Sequence, residues 1–176
     1  MPRFRRYLEA DQCYFITTST YRRRPLFADP RLCRILECNL KFYRDRMKFG
    51  LHGYVIMPDH MHLLITPRQP ATISDIMRNF KSYAAKEMRR FLATTGPVWQ
   101  SRFHDRVIRG EAQFHLALSY IHLNPVRAAL VQSATGYEFS SCRFWEEGVG
   151  PIALDPPGGH GWGRDLQEDS SELVAG

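Results

Sequence analysis

The sequence lacks the features that mark membrane proteins, disulfide-rich proteins and the common zinc sites. Its cysteines are scattered, and none belongs to a C-x-x-C pair; they are Cys13, Cys33, Cys38 and Cys142. No apolar run is long enough for a membrane span or resembles a signal peptide. The zincin pattern His-Glu-x-x-His and the P-loop pattern are also absent. These absences predict a cytoplasmic chain with reduced thiols, no membrane partner and no bound nucleotide.

Acidic side chains are scarce over most of the chain. Residues 1–145 contain 23 lysines and arginines but only 11 aspartates and glutamates, whereas residues 146–176 contain one basic and seven acidic side chains. An excess of arginine suits a polyanionic partner because phosphate contacts release condensed counterions, although solubility or attraction to a membrane surface would also account for it. We predict one domain over 1–145 and an acidic, Gly/Pro-rich tail over 146–176 that is largely disordered.

Hydrophobic periodicity predicts seven elements in the order β-α-β-β-α-β-α. The predicted strands are 12–20, 51–57, 60–66 and 98–109, and the predicted helices are 29–50, 72–92 and 111–129. Pro58-Asp59 suits a tight turn between the two middle strands, which would then form a hairpin. This order is typical of an α+β fold, a ferredoxin-like antiparallel sheet with helices packed on one face.

Two histidines in the third predicted strand form the first candidate site. His60 and His62 are separated by one residue, so the period of two puts both imidazoles on one face of the strand. Two convergent imidazoles can bind one divalent cation, but half-buried strand histidines that bond to neighbours are the more frequent case. Any third ligand must come from another part of the fold.

The last predicted helix offers that ligand. Tyr120 and Asn124 are four residues apart, so their side chains project within about 40° of each other. This spacing directs a hydroxyl nucleophile and an amide oxygen towards one point, although Asn124-Pro125 could simply end the helix and Tyr120 could be a core-edge aromatic. His115 and His122 project about 160° away, and we expect both to be solvated surface side chains.

Basic side chains interleave with aromatic ones in an N-terminal arm and in the turn after the first strand. This combination can bind phosphates while stacking on unpaired bases, as expected for single-stranded nucleic acid. The second helix also has a cationic side opposite its apolar stripe, which could equally serve solubility. The candidate contacts are Arg3, Arg5, Arg6, Arg22, Arg23, Arg24, Arg78, Lys81, Lys86 and Arg89.

Four segments together resemble a known family. Met57–Leu64 is similar to the histidine strand of the single-tyrosine HUH transposases, and Tyr120–Ala128 is similar to their tyrosine helix. Trp99–Arg106 and Tyr14–Thr17 resemble segments of the REP-associated tyrosine transposases, a branch of that family. The resemblance covers roughly residues 3 to 145 and implies an HUH nuclease fold with the tyrosine on the C-terminal helix.

The resemblance implies a transposase that cleaves and rejoins single-stranded DNA. His60, His62 and the side-chain oxygen of Asn124 would hold Mg²⁺ or Mn²⁺, and Tyr120 would attack the scissile phosphate to form a 5′-phosphotyrosyl link. It further implies hairpin-forming palindromes as partners, a monomer rather than a homodimer, and a cytoplasmic protein that is found on the nucleoid when bound to DNA. Two alternatives stay open, a module that binds such hairpins without cleaving them and an unrelated His-x-His metallohydrolase.

Overall fold

The computed structural model describes residues 12–157, which form four strands and four α-helices. The strands are β1 (Cys13–Ser19), β2 (Gly50–Met57), β3 (His60–Thr66) and β4 (His104–Ile108). The helices are α1 (Pro30–Met47), α2 (Ile73–Leu92), α3 (Glu111–Arg127) and α4 (Cys142–Glu147). The predicted order is therefore correct up to α3, and the short α4 follows it. No helix in the described range is long and apolar enough to cross a membrane.

Local signals in the sequence account for where the first two helices begin. The Asp29 side chain accepts a hydrogen bond at the N-terminus of α1, and Pro30 occupies the first helical position. Thr72 and Asp75 form a reciprocal capping box at the start of α2, in which each side chain bonds to the other residue's backbone N–H. Both helices start within one residue of their predicted positions.

The four strands form one antiparallel sheet in the order β2-β3-β1-β4. This order confirms the predicted α+β, ferredoxin-like sheet, and the Pro58-Asp59 turn joins β2 directly to β3. Thr17 of β1 lies opposite His62 of β3 on one side and opposite His104 of β4 on the other. The register therefore places these three side chains in a row on one face of the sheet.

Helices cover both faces of the sheet. The larger core joins α1 and α2 to one face, where the strands contribute Tyr14, Ile16, Tyr54, Ile56, Met61, Leu63 and Ile65. The second core joins α3 to the opposite face through Phe114, Ala117, Leu118, Ile121, Val55, Met57 and Leu64. The prediction of helices on one face is correct for α1 and α2 and wrong for α3. Every residue of β2 is buried, which is the pattern of a strand covered on both faces.

The fourth strand is shorter than the predicted 98–109. Trp99 forms an isolated bridge with Thr20, and its indole donates a 3.1 Å hydrogen bond to the backbone carbonyl of Lys81. The indole ring packs on Phe27 and Phe80 of the α1–α2 core. Regular pairing with β1 begins at His104.

The first part of the acidic tail packs against the folded domain. Ile152 and Leu154 are 2% and 8% exposed and belong to the larger core. The Asp155 carboxylate accepts hydrogen bonds from the Arg44 guanidinium and from the backbone N–H of Leu51. The folded domain therefore continues beyond residue 145, and the rest of the predicted disordered tail lies outside the described residues.

Candidate active site

Three aromatic rings meet where α3 crosses the sheet. The Tyr120 ring centroid lies 5.4 Å from that of His62 and 5.8 Å from that of Phe15, and the Phe15 and His62 rings stack at 5.2 Å. Gly53 of β2 allows the close approach of α3, because a Cβ atom there would lie 2.7 Å from Cδ1 of Leu118. The tyrosine and one histidine, predicted from separate elements, are therefore in contact.

The two site histidines converge and are each held through one ring nitrogen. Their ring centroids are 4.8 Å apart with an interplanar angle of 76°. Nδ1 of His62 lies 2.8 Å from Oγ1 of Thr17, and Nδ1 of His60 lies 2.6 Å from a carboxylate oxygen of Asp59. Nε2 of His62 is buried and has no hydrogen-bond partner among the described residues.

These contacts fit a metal-binding role for the two imidazoles. Histidine ligands usually donate their second ring N–H to a neighbouring acceptor, which fixes the tautomer, and Asp59 and Thr17 occupy that position here. Burial, with smaller contributions from His60 and Arg23, lowers the pKa of His62 to about 3, so the ring is neutral at neutral pH. A buried, unbonded nitrogen destabilises the fold unless a ligand bonds to it. Nε2 of His62 is therefore the ring atom that a metal could bind.

Asn124 lies inside α3, one turn after Tyr120 and on the same side of the helix. It is 9% exposed. The helix continues through Pro125 to Arg127, so the Asn-Pro pair does not end it. Within residues 12–157, no cluster of three or more His, Cys, Asp or Glu side chains could hold a metal. Asn124 as a third, amide ligand stays a prediction.

Of the two histidines expected on the surface, one is buried. His115 is exposed and lies 3.6 Å from Glu111. His122 is 8% exposed, its Nε2 lies 2.9 Å from Oγ of Ser141, and burial lowers its pKa to about 4. The prediction was wrong for His122 because the segment that carries Ser141 folds back over the flank of α3. Helical periodicity describes the helix alone and gives no sign of that cover.

The predicted cationic contacts are spread around the molecule. The Arg22–Arg24 turn adjoins the histidines, since a guanidinium nitrogen of Arg23 lies 3.5 Å from the Asp59 carboxylate. Four predicted contacts lie on α2, across the sheet from Tyr120: Arg78, Lys81, Lys86 and Arg89. Lys81 donates to the backbone carbonyl of Gln100, and Arg78 pairs with Asp75. Arg3, Arg5 and Arg6 lie outside the described residues.

Three residues at this site were not selected from the sequence, namely Phe15, Thr17 and Asp59. Alternation along β1 puts Phe15 and Thr17 on one face, and Asp59 precedes His60 directly. Those signals were available in the sequence. The missing information was the register, which pairs Thr17 with His62 although the two residues are 45 positions apart.

Comparison with known proteins relates this site to transposases. The family model of IS200-like transposases matches residues 10–124. A candidate REP-associated tyrosine transposase from Haemophilus influenzae is 29% identical over 107 residues, which are 55% of this chain and 61% of that protein. The chain thus matches about three-fifths of the length of this relative.

Solved structures support the same relationship at the level of the fold. A REP-associated tyrosine transposase bound to a REP hairpin matches with a TM-score of 0.72 and 24% identity, covering 97% of this chain and 96% of the other. A candidate transposase from Deinococcus radiodurans matches with a TM-score of 0.50 and 20% identity, covering 69% and 95% respectively. The family match spans more than half of the chain and includes both site histidines, Tyr120 and Asn124. The chain belongs to the family of IS200-like transposases.

Proposed function

We propose that this transposase cleaves and rejoins single-stranded DNA at hairpin-forming palindromes, through a 5′-phosphotyrosyl link to Tyr120. The observation that carries the proposal is the contact between the Tyr120 ring and the His62 ring, whose Nε2 is buried and unbonded in the described part of the chain. The fold it shares with a REP-associated transposase bound to a REP hairpin supports the choice of a DNA hairpin as substrate.

The residues that would hold the metal are His60, His62 and Asn124. Two imidazole nitrogens with amide and water oxygens suit Mn²⁺, and Mg²⁺ is compatible although it prefers oxygen ligands. Such a metal supplies Lewis-acid polarisation of the scissile phosphate when bound. Thr17 and Asp59 lie within hydrogen-bond distance of the two Nδ1 atoms, and by accepting from Nδ1–H groups they would keep both Nε2 atoms available for the metal.

Tyr120 would supply the nucleophile. Its phenolic oxygen attacks the phosphorus in line and forms the tyrosyl–phosphate bond, while the bond between phosphorus and the 3′-oxygen breaks. The phenol gives up its proton, and the departing 3′-oxygen takes one up as a free hydroxyl. Attack by another 3′-hydroxyl reverses these changes and joins two strands without a nucleotide cofactor. The edge of one ring faces the other between Phe15 and Tyr120, which supports a fixed position for the phenol.

A single copy of the chain supplies all the proposed site residues. The contact between Tyr120 and His62 of the same chain supports a site that forms without exchange of α3 between two copies. We therefore propose a monomer that acts in cis. We further propose that it is found in the cytoplasm, on the DNA that it binds.

A covalent-trapping experiment tests this function. The protein is incubated with Mn²⁺ and a DNA hairpin labelled at its 3′ end, because the fragment on the 3′ side of the cut carries the 5′-phosphotyrosyl link. Wild type should give a labelled protein–DNA adduct on a denaturing gel. Tyr120→Phe should bind the hairpin and form no adduct. The matched variant Tyr83→Phe changes an exposed tyrosine of α2 and should react like wild type.

Each other outcome contradicts a different part of the proposal. An adduct that persists in Tyr120→Phe rules out this nucleophile, and cleaved DNA without an adduct indicates a metallohydrolase. Binding without cleavage by wild type indicates a hairpin-binding module. For the metal, Mn²⁺ should raise the melting temperature of wild type and leave that of His62→Ala unchanged.

A further inference from the structure

Two exposed arginines flank the aromatic cluster at Tyr120. Arg127 follows Tyr120 by seven residues, which places both on the same side of α3, and its guanidinium carbon lies 5.4 Å from the Tyr120 ring centroid. Arg106 of β4 lies 5.6 Å from the ring centroid of Phe15. Because the Phe15 and Tyr120 rings touch, these four side chains form a continuous row across the site.

Seven other arginines among residues 12–157 pair with a carboxylate. They are Arg23 with Asp59, Arg31 with Asp29, Arg34 with Glu138, Arg44 with Asp155, Arg78 with Asp75, Arg90 with Glu87 and Arg143 with Glu147. Among residues 12–157, neither Arg106 nor Arg127 has a carboxylate partner. A guanidinium that stacks on a ring keeps its N–H donors at the edge, where they match the geometry of a phosphate.

We infer that Arg106 and Arg127 bind the backbone phosphates on either side of the scissile phosphate and hold the strand across Tyr120. This inference rests on the proposed function and adds two positioning residues to its site. In-line attack requires the strand to be fixed on both sides of the reacting phosphorus, and one cation lies at each end of the row. The cations of α2 lie on the other face of the sheet, where they do not border Tyr120.

The test measures DNA binding apart from the chemistry. Arg106→Gln and Arg127→Gln are made in the Tyr120→Phe protein, and the anisotropy of a fluorescein-labelled DNA hairpin with single-stranded flanks is titrated without metal at several salt concentrations. Loss of a charged phosphate contact should weaken binding about tenfold and reduce the slope of log K against log salt by about one. Lysine at either position should restore the slope but not the full affinity, because it keeps the charge and loses the planar fork.

Arg34→Gln is the matched control. Its guanidinium also lies over an aromatic ring, 5.6 Å from the Phe139 centroid, but it is paired with Glu138 and belongs to α1 on the opposite face. This variant should keep the affinity and the salt slope of the parent protein. The melting temperature of each variant shows whether a loss of DNA binding comes from unfolding. If it did, lysine at the same position would not restore the salt slope.

Two results would overturn the inference: an unchanged salt slope in both glutamine variants, or no binding of the hairpin by the parent protein. The failure of the proposed function looks different. In that case wild type forms no covalent adduct, but the slope of log K against log salt still falls by about one in each glutamine variant. The two arginines then bind phosphate, and the cleavage proposal is wrong.

Discussion

Among the individual residues of the site, Thr17 and Asp59 stand out because each forms a hydrogen bond to one ring nitrogen of a site histidine. A hydroxyl bonds to Nδ1 of His62 and a carboxylate to Nδ1 of His60, so the two imidazoles are held by groups of different charge. Asp59 also lies 3.5 Å from Arg23, which joins the histidine pair to the Arg22–Arg24 turn. The orientation of the proposed metal ligands therefore depends on residues that bind no metal themselves.

Replacement of Thr17 by valine tests this role. Valine keeps the shape of the side chain and removes the hydroxyl that bonds to Nδ1 of His62, so the affinity for Mn²⁺ should fall about tenfold or more. Thr17→Ser should restore the affinity. Isothermal titration of each protein with Mn²⁺ measures the effect.

Thr18→Val is the control for that measurement. Thr18 is 1% exposed and points to the other face of the sheet, and its hydroxyl oxygen has no hydrogen-bond partner in the described chain. Valine at this position should leave Mn²⁺ affinity unchanged. Equal affinities in Thr17→Val, Thr18→Val and wild type would show that Thr17 does not orient His62.

Among the helices and strands, the close packing of α3 on β2 sets the position of Tyr120. Leu118 packs directly over Gly53, and Tyr120 follows Leu118 by less than one turn of the same helix. A methyl group at Gly53 would meet Cδ1 of Leu118 at 2.7 Å, so Leu118 must change its conformation or α3 must move. The absence of a side chain on β2 is thus part of how the site is built.

Gly53→Ala should lower the free energy of unfolding by about 1 kcal/mol or more, because extra volume in a packed core forces strain. In a Leu118→Ala background the same change should cost much less, since the opposing methyl group is gone. Urea denaturation of the four proteins of this double-mutant cycle measures the coupling. Gly96→Ala is the control, because its nearest neighbour atom is a hydroxyl oxygen of Thr94 at 3.7 Å. Additive effects of the two changes would contradict the close packing.

At the scale of the whole molecule, the chain returns to the core after α4. Residues 150–155 run back to α1 and β2, where Asp155 joins Arg44 to the backbone of Leu51 and its own carbonyl lies 2.9 Å from Nδ1 of His52. This contact links the end of the described chain to elements more than 100 positions earlier. The domain is therefore closed by a segment whose composition resembles a disordered tail.

Asp155→Ala should lower the free energy of unfolding by about 1–3 kcal/mol, because a partly buried guanidinium and a backbone N–H lose a charged acceptor. The Arg44 side chain is only 20% exposed, so water cannot fully replace the carboxylate. Glu147→Ala is the control: its pair with Arg143 is exposed on both sides, and its loss should change stability by less than about 0.5 kcal/mol. Urea denaturation distinguishes the two variants, and equal stabilities would show that the returning segment contributes nothing.

The sequence by itself determined the features that depend on local spacing. The caps at Asp29 and Thr72, the Pro58-Asp59 hairpin and the common face of His60 and His62 all follow from residues within a few positions of one another. The family motifs lie in the same short stretches. For that reason the order of elements, the antiparallel sheet and the family could be predicted without a structure.

The tertiary structure decided what depends on register and layering. It put α3 on the second face of the sheet, paired Thr17 with His62, buried His122 against Ser141 and brought Arg106 and Arg127 to the two ends of one aromatic row. The contact between Arg127 and Tyr120 lies within α3, and each of the others joins residues from separate parts of the chain. Periodicity fixes the direction of a side chain within its own element only, so it cannot indicate which other element that side chain will meet.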